Sequence, residues 1–195
     1  MPQHFDDLVD SAHRFYKRQC ADLNALGIHV LGLPLSQFAF RTKTFREYLA
    51  MRDVIEAHST ANRENVWNGR PISKLLLKDP LNMGDGAQLD IIELIPPFHQ
   101  RVYPMGFEHI GYVVGENVEA FGREHRDVLT GQQFQSADCE PYYVRFDDYT
   151  HAKFYRYSLM EVCRREGAVF DSFLHADWHP EDLEAGPYPE LPRTG

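Results

Sequence analysis

Cysteine is scarce in this chain: Cys20, Cys139 and Cys163 are the three among 195 residues. They lie far apart and are odd in number, so neither a disulfide framework nor a CxxC metal site is visible. Such usage fits a reducing cytoplasm. Long apolar runs are also missing, and none approaches the roughly 20 residues that span a bilayer. The first residues, MPQHFDDLVDSAHRF, carry Asp6, Asp7 and Asp10 where a signal peptide would have its apolar segment, so no signal peptide is expected. Basic residues are outnumbered, 20 Lys and Arg against 29 Asp and Glu, for a net charge of −9. That excludes the basic footprint of a nucleic-acid binder and disfavours an anionic membrane surface. It leaves room for an anionic small molecule, because a few local arginines override the overall field. Glycine is sparse as well, 13 residues, and no P-loop, GxGxxG or GxSxG pattern occurs.

What remains is an ordinary globular composition, 43% apolar and 25% charged, able to bury a core without metal or disulfide staples. The length suits one medium domain or two small modules sharing a core. Residues 5–26 place Phe5, Leu8, Ala12, Phe15, Leu23 and Leu26 at three- and four-residue steps, which predicts an amphipathic helix stopped by Gly27. SQFAFRT (36–42) alternates as a strand, and TFREYLAMRDVIEAH (44–58) reads as a helix. ENVWNGRPISKLLLKDP reads as two short strands joined at Asn68-Gly69, a hairpin signal. DPLNMGDG reads as a loop, and AQLDIIELIPP (87–97) as a strand stopped by prolines.

After PPFHQRVYP a similar order returns. GFEHIGYVV reads as a strand, residues 116–129 as a helix weakened by Gly122, PYYVRFDD and THAKFYRYS as strands, and 158–167 as a helix ending at Gly167. The strand–helix openings of the two halves match in kind, a weak internal repeat. Two such units can curl their sheets around a pocket, a usual place for ligands. The proline-bearing tail from Ser172 reads as an irregular arm.

NGRPISKLLLKDP, DIIELIPP and YPMGFEHIGYVV, in this order, resemble the YecM-type family of small bacterial proteins, which belongs to the vicinal oxygen chelate superfamily. The resemblance covers about residues 36–160 and a leading helix. It implies an α+β fold, with paired βαβββ modules forming one cupped mixed sheet behind an extra N-terminal helix. The expected layout is residues 1–35 for the helix and its connection, 36–170 for the domain (modules about 36–98 and 105–160), and 171–195 for an irregular tail. It also implies a divalent metal on the inner face, with one ligand from the first and last strand of each module. Those positions fall on Gln37, Glu93, His109 and, fourth, Tyr155. YecM-type proteins tend to carry histidine where this chain has Gln37 and Tyr155. Glutamine is an acceptable ligand there, whereas tyrosine, with a reference pKa of about 10, is a poor one at neutral pH.

The residues themselves allow more than one reading. Glu93 shares an apolar strand face with Leu89, Ile91 and Ile95, and a carboxylate there is costly unless it is paired, bound to a cation, or reaches solvent or an arginine such as Arg101. His109 opens a strand as Gln37 does, beside Gly111, and is either a packed core histidine or a ligand. A neutral imidazole, a carboxylate and an amide oxygen suit Zn, Ni, Co, Mn or Fe(II), with water completing an open position. On the same face Arg41, Lys153 and Arg145 are candidates for binding substrate, or they merely neutralise nearby acids. Tyr155 is the candidate proton donor or acceptor. Glu108 points away from His109 in an unbulged strand. HADWH (175–179) spaces two histidines four apart but lacks the glutamate of HExxH, so a solvated tail is expected. Cys139 reads as structural or as an exposed thiol.

The expectation is a cytoplasmic, metal-dependent enzyme acting on a small oxo- or hydroxy-acid, with isomerase, lyase and dioxygenase outcomes open. The alternatives are a metal-free small-molecule binding protein and a plain interaction protein whose pocket is filled. No nucleic acid or membrane is expected as a partner, and the pairing habit of the superfamily's modules allows a homodimer.

Overall fold

The computed structural model describes residues 4–97, 105–181 and 183–184. Arg101, the Tyr103-Pro104 motif and the end of the tail lie outside the described residues. Helix α1 (Phe5–Ala25) buries Leu8, Ala12, Phe15, Tyr16 and Leu23. Its end has the double bond of a glycine cap, Ile28 N donating to Leu23 O at 2.9 Å and Gly27 N to Asn24 O at 3.0 Å. Gly27 takes the positive φ of 77° this requires. Strand β1 (Leu35–Arg41) leads to α2 (Phe45–Glu56), whose N-cap Thr44 accepts from Glu47 N. Strands β2 (Ser59–Trp67) and β3 (Arg70–Gly84) are joined by Asn68 and Gly69, both at positive φ. That is the backbone twist a two-residue hairpin favours.

Strand β3 is longer than expected and absorbs the DPLNMG stretch. The Asp-Pro-Asn-Gly chemistry is that of a loop, but the register against β4 (Ala87–Ile95) shifts between Leu76 and Leu81. The resulting bulge accommodates Pro80, which has no N–H for the ladder.

The second half runs β5 (Gly106–Val113), a 3-10 turn and α3 (Val118–Glu124), β6 (Gly131–Gln132), β7 (Tyr142–Arg145), β8 (His151–Tyr155) and α4 (Leu159–Arg165). Helix α3 is shorter than expected. Gly122 lies against the Tyr142 ring, where a Cβ would sit 2.4 Å from Cζ, so this glycine permits a close approach of helix and strand. A two-residue β9 (Phe173–Leu174) pairs with β2.

Among the described residues nine strands form one sheet in the order β6-β7-β8-β5-β1-β4-β3-β2-β9. Its centre is the antiparallel pair β1–β5. On either side the first strand of a half pairs in parallel with its last, β1 with β4 and β5 with β8. Two βαβββ modules thus meet at their first strands, which is the paired architecture expected. Helices α1, α2 and α3 cover one face, where Phe15, Phe38, Tyr48, Tyr112 and Phe154 belong to the main core. Burying each such side chain contributes about 1.5–3 kcal/mol. The other face stays open as a cup, with α4 tied to its floor by Leu159 N donating to Ser36 Oγ at 2.7 Å.

Candidate active site

One register row crosses the cup. Lys74 pairs with Glu93, Glu93 with Ala39, Ala39 with His109, His109 with His151 and His151 with Arg145. Residues in register point to the same face, so five polar side chains from five strands share the cup around a small central residue. Ala39 leaves room above it, and Glu93 and His109 meet there: His109 Nε2 lies 3.2 Å from Glu93 Oε2. The distance is that of an ion pair, but the atoms are not aligned as a hydrogen bond, and His109 Nε2 has no hydrogen-bond partner among the described residues.

Glu108 joins this group, contrary to the unbulged expectation. Ala39 pairs with His109 but Phe40 pairs with Phe107, so Glu108 is the extra residue of a β-bulge. Phe107 therefore returns to the core beside Phe38 and Phe40. Glu108 forms a buried ion pair with Arg41, and Arg41 also donates to Pro96 O at 3.0 Å. Glu108 Oε1 lies 3.4 Å from His109 Nδ1. The His109 ring is thus flanked by a carboxylate at each nitrogen. Burial pushes the Glu108 carboxyl up, but His109 and Arg41 outweigh it and hold it well below the usual carboxylate range. Burial likewise raises Glu93, and His109, Lys74 and Lys153 bring it below its ordinary value.

Gln37 lies two residues from Ala39 on the same strand. Its Nε2 donates to the Tyr155 hydroxyl at 3.1 Å, and its Oε1 is buried without a partner among the described residues. The amide rests over Gly111, where a Cβ would come within 2.5 Å of Oε1. Tyr155 is buried against Cys139 and Val162. Burial, with Cys139 and Glu93 nearby, raises its phenol well above the ordinary value.

A cavity of about 410 Å³ opens over the row. Glu93, Glu108 and His109 line it, and so do Arg41, Lys153 and Arg145. Gln37 and Tyr155 are almost wholly enclosed beside it, 1% and 4% exposed. The Arg41 guanidinium is committed to Glu108 and Pro96 O. Glu108, which the unbulged reading turned away, lines the cavity, and so do His151, Arg70 and Lys74, which the sequence did not single out. The two-residue spacing of His151, Lys153 and Tyr155 carried a signal for His151. Nothing in the sequence marked the bulge that turns Glu108. His151 is pushed down to about 4 by burial, then by Lys153, His109 and Arg145, so its ring is neutral near pH 7.

Cys139 is buried rather than exposed, its thiol donating to Gln135 Oε1 at 3.1 Å, and burial pushes it up to about 12. HADWH is not helical. His175 contacts Glu56 at 2.7 Å, Ala176 N donates to Glu64, and Trp178 packs on Phe45, so this stretch is docked on the helix side.

Among the described residues no three His, Cys, Asp or Glu side chains converge as a metal cluster. The candidate donors are of mixed type: one imidazole and one carboxylate in contact, and one amide oxygen nearby on β1. Gln37 Oε1 is buried without a hydrogen-bond partner among the described residues, a state that costs free energy unless something binds it, and His109 Nε2 faces the Glu93 carboxylate. This set fits a divalent cation with N/O preference. Among the described residues no helix is long and apolar enough to cross a membrane.

The solved structure titled "Structural Genomics, Protein EC4020" is 24% identical, with a TM-score of 0.65 over 83% of this chain and 92% of that one. Weaker likenesses reach a mutant of the fosfomycin resistance protein FosX from Listeria monocytogenes, complexed with Mn(II) and a dihydroxypropylphosphonic acid. It is 14% identical, with a TM-score of 0.27 over 68% of this chain and 96% of that one. Another is a trihydroxybiphenyl dioxygenase from Sphingomonas wittichii, 13% identical, with a TM-score of 0.38 over 63% and 40%. No curated protein matches the chain. The sequence model "YecM protein" matches residues 4–157: the chain belongs to the YecM family.

Proposed function

We propose that this protein is a divalent-metal-dependent enzyme acting on a small oxygenated acid, an oxo- or hydroxy-acid, in the cup. The observation that carries this reading is the Glu93–His109 contact, 3.2 Å between Oε2 and Nε2, with the Gln37 amide two residues along β1 from Ala39 and its Oε1 buried without a hydrogen-bond partner among the described residues. Zn, Ni, Co, Mn or Fe(II) would suit these ligands. Bound there, such an ion would supply Lewis acidity to an enolate or similar oxyanion.

The chain's own groups have separable roles in this proposal. Glu93 stays ionised and brings negative charge to the ligand set. Glu108 accepts from His109 Nδ1, which leaves the Nε2 lone pair facing Glu93 and the cup. Arg41 holds Glu108 rather than substrate. Lys153 and Arg145 draw and orient an acidic substrate. Tyr155 keeps its proton near neutral pH and positions Gln37 by accepting from its Nε2, which leaves Oε1 for the ion. This is a positioning role in place of the proton transfer first expected of Tyr155.

The test is a nuclear magnetic resonance screen of metal-loaded protein against small oxo- and hydroxy-acids. The reading expects turnover or exchange of a carbon-bound proton that chelator abolishes and His109→Ala does not support. Turnover that persists in chelator would overturn it. The Gln37–Tyr155 hydrogen bond favours a second reading, a metal-free binding protein, because it satisfies half of the amide without an ion. Ligand capture unchanged by chelator would mark that outcome.

A further inference from the structure

The protein carries a net charge of −9, yet its cup is rich in cations, with Arg41, Arg70, Lys74, Arg145 and Lys153 along the lining. What these cations touch separates them. Arg41 is neutralised by Glu108. Lys74 donates instead to a neutral amide oxygen, Asn65 Oδ1, and Lys153 to another, Gln133 Oε1, at 3.2 Å. The Arg145 guanidinium lies 5.7 Å from the centre of the Tyr149 ring. Among the described residues none of these three has a carboxylate within ion-pair distance. Amide partners fix a lysine's direction without cancelling its charge. Glu93 takes part of the charge of Lys74 and Lys153, and their neutral partners leave the rest for a ligand.

Their placement is two-sided. Lys74 stands on β3, one strand beyond Glu93, in the first module. Lys153 stands on β8, beside Gly111 of β5, in the second, and Arg145 stands on the adjacent β7, paired with His151. A molecule seated in the cup above the Glu93–His109 contact therefore meets positive charge from both walls. A monocarboxylate would answer only one of them.

We propose that the cup takes a compact dianion, a phosphate, a phosphonate or a dicarboxylate, held between Lys74 of one module and Lys153 with Arg145 of the other. The inference rests on the reading of the cup as the substrate site, and it does not require the metal. It is tested by titration calorimetry on chelator-treated protein at pH 8, with inorganic phosphate, malonate and acetate as probes. Phosphate or malonate should bind at least about tenfold more tightly than acetate. Lys74→Gln and Lys153→Gln should each weaken the dianion several-fold, while Lys78→Gln, at an exposed position, should leave it unchanged. Phosphate binding ahead of malonate identifies a phosphoryl or phosphonyl ligand, and the reverse order a dicarboxylate. If either variant fails to fold, the side-chain nitrogen resonances of Lys74 and Lys153 in the unaltered protein decide, both shifting on addition of the dianion. Equal binding of acetate and the dianions, or resonances unmoved by them, would overturn the proposal. Because chelator is present throughout, loss of the metal reading would leave this result standing, and failure here would leave the metal reading untouched.

Discussion

Glu93 and His109 stand on strands that are not neighbours, yet their side chains meet 3.2 Å apart because the residue between them, on β1, is Ala39. Ala39 is fully buried in a small apolar cluster with Ile72 and Ile95 on the floor of the cup. A larger side chain there would drive the two apart. Ala39→Leu should cost about 1–3 kcal/mol by overpacking and should abolish divalent-metal binding. Thermal unfolding and metal titration of the same preparation check both effects.

Gly111 serves Gln37 in a similar way. Its φ is ordinary, so a side chain would be excluded by space rather than by backbone strain. A Cβ would meet Gln37 Oε1 at 2.5 Å and Ser36 Cβ at 3.0 Å. Gly111→Ala should destabilise by about 1–3 kcal/mol. The cost should shrink when Gln37 is also cut to alanine, a coupling readable by urea denaturation of the double-mutant cycle.

The Arg41–Glu108 pair is almost sealed from solvent, its side chains 1% and 6% exposed. Removing one partner takes a buried charge from this counter-charge, so Arg41→Ala or Glu108→Ala should cost about 3–5 kcal/mol. The paired change Arg41→Met with Glu108→Leu should recover most of that stability. It should still bind metal less well than the unaltered chain, because Glu108 no longer faces His109. Chemical denaturation and metal affinity, measured on all the variants, separate the two effects.

On the helix side Glu64 accepts from Tyr48 at 2.6 Å, Ser73 at 2.8 Å, Arg52 at 3.0 Å and the docked tail at Ala176 N, 3.0 Å. Burial raises its carboxyl, but these donors outweigh burial and hold it below its ordinary value. The unfolded chain therefore takes up this proton first, at about pH 4.3. The stabilisation is present above that pH and is lost as the pH falls towards the lower folded value. Glu64→Gln should be about 1–3 kcal/mol less stable at pH 7. The gap should narrow below pH ~4, as urea denaturation at pH 7 and pH 3.5 would show.

Most of the architecture was readable because its signals are periodic. The stripe of Leu8, Ala12, Phe15 and Leu23, the alternation of Phe38 and Phe40, and the Asn68-Gly69 turn each specify local structure. The length of β3 was hidden because Asp79, Pro80 and Gly84 have loop chemistry, and a bulge lets the strand carry them. The candidate site was partly readable for the same reasons. Gln37, Glu93 and His109 lie at matching points of the strands, but which face Glu108 takes depends on one register shift that no residue type announces. Lys74 and His151 look like ordinary strand residues until the register row brings them together. The docking of HADWH was hidden too, because it depends on Glu56, Glu64 and Phe45, more than a hundred residues earlier.

The central claim is that Gln37, Glu93 and His109 form one cation site. Its most direct test is metal content by mass spectrometry on protein purified without a histidine tag or chelator and then reloaded with several divalent ions. About one ion per chain is expected, lost in Glu93→Ala and in His109→Ala and reduced in Gln37→Ala, with all variants folded. Protein that stays metal-free after reloading, or metal retained by both Glu93→Ala and His109→Ala, would contradict it.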